Sequence, residues 1–376
     1  MTSRPARSRI LGAAAALAAV SLLSACAFGD PPPSDPGEPP NLPKPSTSSE
    51  GESAVAEIVA DNLEVPWAIA FLPDGSALFT ERDTAKIRSI AADGTVGDVQ
   101  TVEEADPSGE GGLLGIAVSP DYETDELVYV YYTAASDNRI ARMKLGETPE
   151  PIVTGIPKGA NHNGGGLGFG PDGFLYASTG ETYQTELSQD KKSLGGKILR
   201  MKPDGKAAPG NPFDNLVYSY GHRNVQGFAW DADERMFAIE FGQDTWDELN
   251  LIEAGGNYGW PEVEGTGGDS KYVDPLVTWS TDEASCSGAA ISESLLITSC
   301  LRGERLWLVG LDGKGGVSGD PQSALEGQFG RLRAAAVAPD GSIWVSTSNK
   351  DGRGEEAPGD DKILRIVAGS SGIGKA

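Results

Sequence analysis

The sequence predicts an all-β protein, a six-bladed β-propeller with four-stranded blades. Three observations carry that prediction. One unit, an alternating strand, a turn and a second strand, returns six times. Its turns fall at positions 73, 120, 171, 232, 292 and 339, so successive units are 47 to 61 residues apart, the period of a propeller blade with some long inserts. Gly 50 and Pro 25 in 376 residues suit many short strands joined by turns better than long helices.

The N-terminus reads as an address. Arg4, Arg7 and Arg9 form a basic start, Ile10 to Leu23 an apolar run too short to span a bilayer, and Leu23-Ser24-Ala25-Cys26 a lipobox. Residues 1–25 are therefore expected to be a lipoprotein signal peptide, with lipid attached at Cys26 and the protein exported to the outer face of the membrane. Cleavage removes three arginines and no acid, moving the net charge from −25 to −28. Residues 26–53, rich in Pro and Ser, read as a disordered tether. The propeller is expected over 54–369, and 370–376 as a flexible tail.

The six units follow in order. They begin at Ala68-Ile69-Ala70-Phe71-Leu72-Pro73-Asp74-Gly75, Gly115 to Asp121, Gly166 to Gly173, Gly227 to Asp233, Ala290 to Glu293 and Ala336 to Gly341. Pro-Asp-Gly itself stands in the first, third and sixth; the second has Pro120-Asp121, the fourth Asp231-Ala232-Asp233, and the fifth is degenerate. Lys86-Ile87-Arg88, Lys197-Ile198-Leu199-Arg200 and Lys362-Ile363-Leu364-Arg365 read as matching outer strands, the last closing the ring beside N-terminal strands. A β-sandwich would show alternation but would not need six similar units.

The acidic balance argues against a nucleic-acid partner, because no basic cluster offsets phosphate repulsion. Beyond Cys26 the cysteines are Cys286 and Cys300, and in an exported protein a disulfide between them is the favoured reading. The chain's two histidines, His162 and His222, both sit in glycine-flanked polar loops, in Asn161-His162-Asn163-Gly164-Gly165-Gly166 and Tyr220-Gly221-His222-Arg223-Asn224. A propeller brings loops of different blades to one channel mouth, which is what a site needs.

These loops, with Gly112-Leu113-Leu114-Gly115, Asp247-Glu248-Leu249-Asn250, Gly256-Asn257-Tyr258-Gly259-Trp260-Pro261 and Gly330-Arg331-Leu332-Arg333, resemble the glucose/sorbosone dehydrogenase family over residues 60 to 367. The resemblance implies oxidation of aldose sugars at C1 to lactones with pyrroloquinoline quinone (PQQ) and calcium. Electrons would then pass to a membrane quinone or a soluble carrier. It makes His162 the general base and places Arg223 and Asn224 at the quinone. Arg331 and Arg333 would hold cofactor carboxylates, and Arg302 would stand where the family has lysine. Glu110 stands where the family commonly has glutamine against the cofactor, and needs protonation or an arginine partner there. The backbone carbonyls of Gly242 and Gln243 would ligate one calcium, and Glu248 with the Tyr258 carbonyl a second. Glu181 would orient His162. Trp279 reads equally as a sugar platform or as packing. Two other classes share the scaffold: a cofactor-free propeller that binds sugar or protein, and a calcium-dependent lactonase.

Overall fold

The computed structural model describes residues 55–367. The expected leader, the lipid site at Cys26, the tether and the C-terminal tail lie outside the described residues. Six four-stranded antiparallel sheets succeed one another along the chain, as a six-bladed propeller. The first strand of each repeat lies innermost: Pro66–Phe71, Leu113–Val118, Leu167–Phe169, Val225–Trp230, Cys286–Ser292 and Leu332–Val337.

The ring closes as expected. Ile363–Val367 is the third strand of blade 6, and the N-terminal strand Val55–Ala60 pairs antiparallel to it as the fourth. One expectation needs correction. The Lys-Ile and Arg-Ile strands are third in their blades rather than outermost, and each carries a further, weakly patterned strand outside it.

The Pro-Asp-Gly signal makes a specific turn. In blades 1, 3 and 6 the glycines Gly75, Gly173 and Gly341 take φ of 85°, 75° and 81°, which only a residue without Cβ adopts freely. The preceding aspartates accept from the backbone two residues on, at 2.9–3.1 Å.

Small residues let the inner strands meet. Gly115, Gly166, Gly227 and Gly288 abut the next blade's backbone; a Cβ on Gly115 would stand 2.2 Å from the Gly165 carbonyl oxygen. Tyr129, Tyr131, Ile140 and Leu175 are among the buried residues filling the space between blades 2 and 3.

Because every inner strand runs toward its turn, the ends of the second strands gather at the opposite face. Those ends, with the loops entering the inner strands, build the site.

Candidate active site

A pocket of about 410 Å³ opens at that face, and all six blades line it. Arg82 comes from blade 1, Glu110 from blade 2, His162 from the 2–3 connection and Tyr183 from blade 3. Blade 4 gives Asn224, Gly242 and Gln243, blade 5 Ser285 and Arg302, and blade 6 Arg331, Arg333, Asp351 and Arg353. Arg223 and Gln226 complete the floor.

Six arginines face two carboxylates, a surplus of four positive charges in a chain of net charge −25. Such a wall fits a small polyanion carrying several carboxylates.

His162 is buried and takes φ 56°, in the left-handed region. Two carboxylates hold it. Its Nδ1–H donates to Glu181 Oε1 at 2.5 Å, and its backbone N–H donates to Glu110 Oε2 at 3.1 Å. The Tyr183 ring lies over the imidazole with centroids 4.2 Å apart, and Tyr183 is 63% exposed. With Nδ1 engaged, Nε2 is the nitrogen left to take a proton from a ligand.

Gly180 packs where no side chain fits, since a Cβ there would meet the His162 carbonyl oxygen. Asn163 fixes the other side of the loop. Its side chain bridges both backbone groups of Gly159, and its carbonyl accepts from the Tyr131 hydroxyl at 2.9 Å.

Glu110 is ion-paired to Arg353 at 2.8 Å. Burial raises its pKa, but the Asn161 side chain, Arg353 and the His162 N–H outweigh that and hold it below the ordinary value. The arginine pairing that the sequence reading required is therefore present, through a residue that reading did not single out.

Arg331 and Arg333 share Asp351, at 2.8 and 3.3 Å. Arg333 is buried; Ser348 Oγ accepts from its Nε at 2.9 Å, and burial lowers its pKa to about 10 despite Asp351. Arg223 stands over the Trp260 ring, 5.5 Å from its centroid, and its Nε has no partner. Arg302 lines the rim, mostly exposed, and pairs with Asp282.

The Gly242–Gln243 loop is wrapped on one oxygen. The backbone N–H groups of Gln243, Asp244, Thr245 and Trp246 all donate to Glu264 Oε1, at 2.8–3.1 Å. Asp247 Oδ1 accepts from Gly242 N at 2.7 Å, and its other oxygen accepts from Ser285 N. Asp247 is thus a buried strut between blades 4 and 5, with burial raising its pKa to about 6. Glu264 and Asp247 thus hold the Gly242–Gln243 loop in place.

Glu248 and Tyr258 do not line the pocket. Glu248 lies buried beside Glu240, accepts from Gly265 N at 2.7 Å and from Asn250, and burial and the Glu240 charge push it up to about 8. The Tyr258 ring stacks on His222 at 4.5 Å. His222 itself is fully buried between Glu240 and Ser219 and stays out of the pocket. Trp279 packs on Trp307 in the core and is no platform.

Among the described residues no three His, Cys, Asp or Glu side chains converge to hold a metal. A hard cation would depend on carbonyl and amide oxygens. Asn250 Oδ1, beside the two buried glutamates, lacks a partner, and such an orphan oxygen suits one.

Cys286 and Cys300 form a disulfide that joins the first two strands of blade 5. It sits directly behind the lining residues Ser285 and Leu301.

Comparison with known proteins agrees with this geometry. The chain aligns with a PQQ-bound aldose sugar dehydrogenase from Streptomyces coelicolor at 54% identity, covering 84% of this chain and 98% of that one, with TM-score 0.81. It is 30% identical to quinoprotein glucose dehydrogenase B of Acinetobacter calcoaceticus, over 70% of this chain but 62% of that longer protein. It is 26% identical to aldose sugar dehydrogenase YliI of Escherichia coli, over 79% of this chain and 90% of that protein. Residues 63–365 match the family described as glucose/sorbosone dehydrogenase, and with six blades around an arginine-walled histidine the chain belongs to that family.

Proposed function

We propose that the protein oxidises aldose sugars at C1 to lactones with PQQ, in an exported, lipid-anchored form. The observation that carries this reading is the placement of His162, held from behind by the buried Glu181, in a pocket walled by six arginines. When bound, PQQ supplies the two-electron acceptor for the C1 hydride.

The residues fit that group. Arg331, Arg333 and Arg82 offer guanidinium forks to carboxylates, and the buried Arg223 Nε lacks a partner that a ligand could supply. Arg302 and Asn224 add donors at the edges. Calcium at the Gly242 and Gln243 carbonyls would polarise the acceptor, and a second calcium would be held near Glu248 and the Tyr258 carbonyl.

The chain's own part is proton handling. Glu181 fixes His162 as the Nδ1–H tautomer and stabilises positive charge on the ring. Nε2 then takes the proton of the sugar C1 hydroxyl, a contribution of about 10²–10⁴ in rate. Tyr183, exposed over the imidazole, offers an aromatic face to a sugar ring.

Leu23-Ser24-Ala25-Cys26 supports a lipid anchor, and electrons then leave to a membrane quinone or soluble carrier. The test is reconstitution. Purified protein given PQQ and calcium should show bound-quinone absorbance, reduce a dye with aldoses and yield the lactone. Failure to take up PQQ would leave a binding propeller as the better reading.

A further inference from the structure

We propose that Glu110 is a positioning residue for His162, braced across the pocket rim by Arg353, rather than a ligand of the cofactor. His162 holds a left-handed backbone, φ 56°, which a residue with a Cβ adopts only where its surroundings impose it. Glu110 Oε2 accepts the N–H of that same residue. Glu110 N in turn donates to the Ala160 carbonyl at 2.8 Å, and Gly109 packs against that carbonyl so closely that a Cβ would stand 2.3 Å away. The loops 108–112 and 159–163 are therefore locked together at the base.

The second oxygen, Oε1, receives Arg353 at 2.8 Å. Arg353 belongs to the blade 6 loop, Glu110 to the loop entering blade 2, and blade 1 lies between them. The pair thus spans a whole blade at the pocket mouth. Both oxygens are committed within the protein. The ion pair also cancels a negative charge that would face an anionic ligand. Glutamine at this position could accept from His162 but could not pair with arginine, so the acid and Arg353 belong together.

The turnover and retention arms below rest on the PQQ reading; the exchange arm does not. Hydrogen exchange of the peptide containing His162, in cofactor-free protein, reads the positioning directly. Glu110→Ala should speed exchange of the His162 amide at least tenfold, and Glu110→Gln should restore most of the protection. In reconstituted enzyme, Glu110→Ala should lower kcat ten- to a hundredfold with quinone occupancy and sugar KM little changed, and Glu110→Gln should recover it. Arg353→Ala should leave His162 protected but weaken PQQ retention at least tenfold, and adding Glu110→Gln to it should restore retention.

Unchanged exchange in Glu110→Ala would overturn the proposal. So would a Glu110→Ala protein that loses quinone while its loaded fraction turns over normally, since Glu110 would then be a direct cofactor ligand. If even the wild-type protein takes up no PQQ, the activity assignment fails while the exchange comparison still decides the role of Glu110.

Discussion

Nδ1 of His162 lies 2.5 Å from Oε1 of Glu181, and the other oxygen of that buried glutamate has no partner. The carboxylate therefore serves the imidazole alone among the described side chains. Glu181→Ala should free the ring's tautomer and orientation and lower kcat by roughly 10²-fold. Quinone occupancy should hold, because Glu181 touches no arginine of the wall. Absorbance of bound quinone set beside dye reduction separates the two effects.

Lys197 is buried in the third strand of blade 3 and donates to three carbonyls, those of Leu187, Ser188 and Gly195, at 2.6–2.9 Å. Lys197→Met fills the space but removes three hydrogen bonds and leaves the Gly195 carbonyl without a donor, a loss of about 3 kcal/mol. Burial also lowers this ammonium to about 7 from its ordinary 10.5, against a small opposing effect of Asp190. The unfolded chain then holds the extra proton between those values, so this group makes unfolding free energy rise with pH from about 7 to about 10.5. Denaturation of both proteins across that window should show the rise in wild type and not in Lys197→Met.

Much of this was legible in the sequence because the signals are local. A turn is set by its own few residues, so three Pro-Asp-Gly turns and the variants at Pro120-Asp121 and Asp231-Ala232-Asp233 mark the repeat, and even the degenerate Ser292-Glu293 turn keeps its place, with Glu293 at φ 53°. The fourth strands were not legible. Val317–Ala324, for example, is largely solvent-facing and carries no alternating apolar pattern.

The site divides the same way. His162, Arg223, Asn224, Arg331 and Arg333 stand in recognisable segments and all line the pocket. Arg82, Asp351, Arg353 and Glu264 were missed, because their roles arise only when distant loops meet. Asp351 matters as the shared partner of two arginines, and Glu264 as the acceptor of four backbone N–H groups 18 to 21 residues away.

The disulfide between Cys286 and Cys300 closes a loop of 14 positions, worth roughly 3 kcal/mol. Because it lies behind Ser285 and Leu301, reduction should also loosen that wall of the pocket. The Cys286→Ala/Cys300→Ala protein should melt lower and lose PQQ faster on gel filtration. Equal melting with and without reductant would contradict this.

Calcium should stabilise the protein by mass action, by about 2.7 kcal/mol at a hundredfold excess over Kd for one site. Glu248→Gln should remove part of that gain while leaving any share that comes from the Gly242 and Gln243 carbonyls. Thermal melts with calcium and with chelator, in both proteins, read the difference. Identical calcium responses would show that Glu248 holds no ion.

In the proposed reaction His162 moves the proton while the arginine wall holds the cofactor. The most direct measurement compares His162→Ala with Arg331→Ala after reconstitution with PQQ and calcium, reading quinone absorbance and aldose-dependent dye reduction on the same samples. On this division of labour His162→Ala should keep near wild-type quinone occupancy and lose turnover by at least 10²-fold, whereas Arg331→Ala should lose quinone first. Near wild-type turnover by quinone-loaded His162→Ala would contradict it.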